Sequence, residues 1–181
     1  MPHTVALLYS IVLGEGRRLI MADLRAMVAD LGLSAPRTVV ATGNLVFEAD
    51  AEPPRQLEAR LEAAFAARFG KPIAIIVRSG ADWLRLAASN PFPQEAAAAG
   101  SRVHVRVMRE PMGEGELERL APYADHGEEL RLIGGDLWIH FKEALPSEGR
   151  LLGQLSSRRG GIGTVRNWNT VVKIAAMLEG G

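Results

Sequence analysis

The chain of 181 residues has no cysteine. That excludes disulfides, thiolate nucleophiles and cysteine-ligated zinc together. It also has no excess of charge of either sign: 21 basic and 21 acidic side chains leave a formal net charge of zero. Bulk charge therefore draws it neither to nucleic acid nor to a membrane. No apolar run approaches the roughly 20 residues of a membrane-spanning helix. The N-terminus lacks the basic, apolar, small-residue order of a secretory signal, so a cytoplasmic protein with no membrane partner is expected. The histidines His3, His104, His126 and His140 show no i, i+4 pair, and there is no Gly-x-Ser-x-Gly elbow. No acid–base or nucleophile pair can be named, so the sequence points to no catalytic residue, metal or cofactor and leaves open whether the protein is an enzyme.

What is present is the patterning of a globular α+β protein. Val5 to Tyr9 reads as a buried strand. Leu13-Gly14-Glu15-Gly16 followed by Arg17 and Arg18 reads as a turn, since it lacks both the third glycine of a dinucleotide loop and the Walker spacing. Met21, Leu24, Met27, Val28 and Leu31 recur at helical spacing, with Gly32 placed to end the helix. Strands are predicted over 38–41 and 45–47, joined at Gly43-Asn44. Pro53-Pro54 opens a second helix with a stripe at Leu57, Leu61, Phe65 and Phe69, ended by Gly70. Ile73 to Val77 is a β-branched strand, and Ser79-Gly80-Ala81-Asp82 has the form of a helix capping box. The first half thus reads β-α-β-β-α-β, the ferredoxin-like order.

The pattern then begins again. Residues 91–101 read as a linker, which divides the chain into an N-terminal half over 1–90 and a C-terminal half over 102–181. In the second half, strands are predicted over 102–108, 130–133 and 137–141, and helices over 114–121 and after Ser147 through Leu151, Leu152 and Leu155. A final helix carries Trp168, Val171, Val172, Ala175 and Leu178 on one face. This half reads β-α-β-β-α, with the last helix in place of a last strand. Gly43-Asn44-Leu45-Val46-Phe47 lines up with Gly135-Asp136-Leu137-Trp138-Ile139, which suggests two consecutive ferredoxin-like halves. Similar topology without duplication is the alternative.

Four pieces of sequence carry a family resemblance. They are Ile20-Met21-Ala22-Asp23-Leu24-Arg25 with Leu31-Gly32, then Thr42 to Phe47, then Asn90-Pro91-Phe92-Pro93, and above all Gly163 to Thr170 running into Lys173. In this order and spacing the chain resembles the bacterial family called domain of unknown function 1697. The resemblance implies an α+β fold and brings no assigned activity. One segment departs from it. The family usually has Leu-Arg-Gly-Ile-Asn-Val-Gly-Gly where this chain has Leu8 to Glu15, so anything those residues bind in the family is in doubt here.

Two surfaces stand out as candidates for binding. Residues 149–178 hold five basic side chains and no acid, whereas 110–148 hold ten acids against Arg119, Arg131 and Lys142. Within the basic stretch, Arg158, Arg159, Gly160, Gly161, Arg166 and Asn167 suit an anion site for a phosphate-bearing ligand or nucleic acid. Glycine amides converge there, a helix start favours negative charge, and arginine grips phosphate bidentately. The alternative is structural: the glycines shape a turn, Asn167 caps the last helix, Trp168 fills the core and the arginines pair with the acidic segment of the same molecule. The second candidate is a sheet face. If Val103, Val105 and Val107 face the helices with Leu137, Ile139 and Phe141, then His104, Arg106, Trp138 and His140 share the open face, where they could stack on bases. The alternative is burial of that face against the first half or against a second copy in a homodimer.

Overall fold

The computed structural model describes residues 2–9, 19–40 and 43–180. The chain forms a mixed α+β protein of two compact units, Met1–Leu86 with Lys173–Gly181, and Ala87–Val172. Each unit holds one four-stranded antiparallel sheet.

In the first unit the order is β1 (His3–Leu8), α1 (Met21–Asp30), β2 (Ser34–Val39), β3 (Asn44–Glu48), α2 (Pro54–Phe69), β4 (Ile75–Ser79). The strands lie in the order β2-β3-β1-β4. The helices follow from the predicted stripes: Leu24, Met27 and Val28 of α1 and Leu57, Leu61, Phe65 and Phe69 of α2 are buried. They pack on Ala6, Leu8, Leu45, Phe47, Ile75 and Val77 from one sheet face. Each such side chain contributes about 1.5–3 kcal/mol on leaving water. Gly70 ends α2 in the left-handed conformation, at φ 71°. The Ser79 hydroxyl accepts the Asp82 amide at 3.1 Å and so starts α3 (Gly80–Ala88), as the capping box predicts. The predicted Gly43-Asn44 turn is wider than expected. Val39 pairs with Asn44, so Asn44 belongs to β3, and its side-chain amide donates to the Val39 carbonyl at 2.9 Å. Gly14 to Arg18 and Thr42 lie outside the described residues.

The second unit runs α4 (Pro93–Ala98), β5 (Val103–Met108), α5 (Gly115–Leu120), β6 (Glu129–Ile133), β7 (Asp136–His140), α6 (Ser157–Gly160), β8 (Gly163–Asn167) and α7 (Trp168–Glu179), the last continuing into residues of the first unit. Its strand order is β6-β7-β5-β8. A core of Met108, Met112, Leu120, Leu137, Ile139, Phe141, Leu151 and Leu155 covers one face.

Four expectations differ from the structure here. Residues 91–101 carry α4 and a 3₁₀ turn at Gly100–Arg102, with Phe92 and Ala96 buried and Phe92 stacked 5.6 Å from His140. The apolar content of that stretch gives it a packed place within the second unit. The helix expected after Ser147 shrinks to a 3₁₀ turn at Leu152–Gln154. The second half does have a last strand: Gly163–Asn167 pairs antiparallel with β5 along its length. In α7 the buried positions are Val171, Ile174 and Leu178, whereas Val172 is exposed. Among the described residues, no helix is long and apolar enough to cross a membrane.

Candidate functional site

The basic stretch becomes a turn of helix, a strand and a helix start in direct succession. The Arg159 and Gly160 amides both donate to the Ser156 carbonyl, at 3.1 and 3.0 Å, so neither amide is offered to a ligand. Arg158 and Arg159 project from this turn and are exposed. The Arg159 guanidinium reaches the Gln154 side-chain oxygen. Gly161 sits at φ 78° and presents its carbonyl inward, where Arg106 donates to it at 2.8 Å.

Arg166 and Asn167 are used by the fold. Arg166 donates to the Thr164 hydroxyl at 2.6 Å and to the Val165 carbonyl at 2.9 Å. Burial pushes its guanidinium down to about 10, which still leaves it cationic at neutral pH. The Asn167 side-chain oxygen accepts the Thr170 amide at 3.0 Å and caps α7. Trp168 is half-buried and stacks 6.1 Å from Trp138. Of the six residues expected to grip an anion, the structure leaves only the neighbours Arg158 and Arg159 turned outward with their charged groups exposed.

The second candidate does not assemble as expected. Residues directly opposite in an antiparallel pair share a face. His104 pairs with Ile139 and Arg106 with Leu137, while Val103 pairs with His140 and Val105 with Trp138. His104 and Arg106 therefore lie on the helix-covered face with Leu137 and Ile139. Trp138 and His140 lie on the opposite face with the valines. The expectation was out of register by one residue, which exchanges the faces. Both sets of β5 side chains are withdrawn from solvent, so alternation alone does not distinguish them.

Arg106 is the residue whose role the sequence hides most. It is 1% exposed. Its guanidinium donates to the carbonyls of Leu155 and Gly161, and its Nε approaches the Met108 sulfur at 3.2 Å. It thus fastens both ends of the 155–161 segment from beneath. A Cβ on Gly163 would come within 2.5 Å of both Arg106 Nε and Met108 Sδ, so this close approach requires glycine. His104 lies edge-on to Phe141 at 5.1 Å, and its Nδ1 finds no hydrogen-bond partner. Burial lowers its imidazole to about 4, so it stays neutral at physiological pH. His140 sits 3.7 Å from Glu129, whose carboxyl is held below the usual range chiefly by its hydrogen bond with Lys142.

No cluster of three or more metal-ligating side chains occurs among the described residues. The assembled groups can bind and position.

Comparison with known proteins agrees with this picture of a fold without an assigned reaction. No curated protein matches the chain. Among solved structures, it is similar to the conserved bacterial protein SP0830 from Streptococcus pneumoniae. The identity is 24% and the TM-score 0.72, with 98% of each chain covered, which establishes a shared fold. The family model described as "Protein of unknown function (DUF1697)" matches residues 1–138. The Thr42 to Phe47 and Asn90 to Pro93 motifs fall inside that span, and on this match the chain belongs to the DUF1697 family.

Proposed function

We propose that the protein acts by binding, without chemistry, and that a phosphate-bearing ligand or nucleic acid contacts it at Arg158 and Arg159. One observation carries this reading. Some arginines elsewhere in the chain, Arg60, Arg68, Arg119 and Arg150, reach a carboxylate, whereas Arg25 and Arg102 bond to a hydroxyl and to backbone carbonyls. Among the described residues, no carboxylate lies within ion-pair distance of Arg158 or Arg159. Two adjacent exposed guanidinium groups with no carboxylate partner, of which Arg159 also reaches the neutral Gln154 side chain, suit a phosphate, which arginine binds through paired hydrogen bonds. Arg166 and Asn167 support the turn and stay out of the contact.

Calorimetric titration with inorganic phosphate and with a short single-stranded oligonucleotide tests this. Replacing Arg158 and Arg159 together by Ala is expected to weaken binding at least tenfold, about 1.4 kcal/mol. Absence of heat with either ligand at millimolar concentration would sink the reading.

The finer architecture belongs to the same proposal. We infer that each unit is a ferredoxin-like half of an internal repeat. The shared strand order, β2-β3-β1-β4 and β6-β7-β5-β8, supports this. The second reading, a protein-interaction domain, is favoured by the free edge of β6.

A further inference from the structure

The edges of the two sheets are finished differently. In the first unit, β4 is an edge strand, and its outward amides at Ile75 and Val77 are taken by Glu62 and Glu58 of α2, at 2.9 and 3.0 Å. The opposite edge, β2, is broken by an irregularity between Ser34 and Arg37, by Pro36, and by positive φ at Ala35. Such devices stop an edge from pairing with another chain.

In the second unit, β6 is an edge strand with an unbroken register and no proline. It joins β7 through Gly134-Gly135, both at positive φ, with Ile133 paired to Asp136. The closing pair of such a two-residue turn is hydrogen-bonded, and bonded pairs alternate along the ladder. Glu129, Arg131 and Ile133 therefore bond to β7, and the amides and carbonyls of Leu130 and Leu132 point away from the sheet. Only the Leu130 carbonyl has a protein donor described, the Arg131 side chain next to it, at 2.9 Å. Beside this edge runs an open groove of about 600 Å³ with a mixed lining: Leu117, Ala121, Ala124 and Leu130 are apolar, and charged side chains from β6 and its neighbours complete the wall.

The geometry points to a second copy of this chain as the occupant, pairing antiparallel β6 to β6 about a two-fold axis at Leu130. Charge selects the partner and the register. Outward residues must face outward residues, so the axis can pass through Leu130, Arg131 or Leu132. An axis at Arg131 sets two like charges opposite each other, and one at Leu132 sets Arg131 against Ile133. Only the axis at Leu130 sets Glu129 of each copy opposite Arg131 of the other. Opposite charges directly across an antiparallel pair stabilise it, and like charges oppose it. Arg131 is more than half exposed; within its own chain it lies 3.5 Å from Glu129 and 5.8 Å from the centre of the Phe92 ring, and pairing requires it to give up the Leu130 carbonyl to the amide of the second copy.

This inference rests on the interaction-domain reading and stands apart from the phosphate contact. The test is sedimentation of the full chain from about 1 μM to about 1 mM, a range that brackets weak self-association. Concentration-dependent dimers are expected. Arg131→Glu should raise the dimer dissociation constant at least tenfold, and the swap Glu129→Arg with Arg131→Glu should restore it. Hydrogen exchange at the Leu130 and Leu132 amides should slow as concentration rises, which a purely structural role for Arg131 would not produce. A monomer at every concentration would overturn the proposal. So would dimers that the single substitution and the swap leave equally tight. Phosphate binding at Arg158 and Arg159 is read separately in each variant, so either reading can fail alone.

Discussion

The two sheets share a strand order and differ in where they put their polar groups. The first unit keeps its core apolar and brings carboxylates to the rim: Glu58, itself 4% exposed, caps the Val77 amide at the β4 edge. The second unit does the reverse. It sets a guanidinium and an imidazole, Arg106 and His104, on the helix-covered face of its central strand β5 and leaves β6 with outward backbone groups. One topology therefore tolerates polar groups at its centre or at its edge, provided each finds partners or remains uncharged.

The sharpest way to break this comparison is to empty the centre of the second sheet. Arg106→Ala strands the Leu155 and Gly161 carbonyls and leaves a cavity, and a loss of about 3–5 kcal/mol is expected in chemical denaturation. Arg106→Lys should recover only part of it, since an ammonium lacks the fork that spans two carbonyls.

Acid gives the next largest effect. The folded imidazole of His104 titrates near 4, well below the ordinary value of about 6.5. The unfolded chain therefore takes up the proton first, and acid favours unfolding. The contribution is fully present above about pH 6.5 and is lost as pH falls towards 4, by up to about 3 kcal/mol. His104→Gln should flatten that slope. Trp138 and Trp168 of the second unit should report the acid transition in fluorescence before Trp83 of the first unit does.

The smallest expected effect sharpens the comparison at the rim. Glu58→Ala leaves the buried Val77 amide without its acceptor, at a cost of about 1–3 kcal/mol in thermal or chemical unfolding. An unchanged stability would mean that the β4 edge needs no guard.

Much of the fold was legible where pattern is local. The stripes of α1 and α2, the glycines that end them and the Ser79 cap all rest on neighbours within a few residues. The strand β8 was not legible. Its five residues include a glycine, an arginine and an asparagine, and its pairing with β5 spans more than fifty positions of chain. Strand propensity is weak where long-range pairing decides. The partners of Arg166 and Asn167 were not legible, because the hydrogen bonds that turn Arg166 inward and commit Asn167 to a cap depend on β8 existing. The sheet-face cluster was misread for a related reason. Alternation assigns faces when one side is polar, and here β5 hides a charged side chain within the fold.

The junction between β8 and α7 has a consequence of its own. Asn167 ends the strand and Trp168 begins the helix with no residue between them. A helix advances about 100° per residue. A one-residue insertion at this joint would turn the start of α7 by that angle relative to β8, moving the buried Val171 off its face and the exposed Val172 toward it. Here the spacing is gauged to a single residue, like the tooth of a gear.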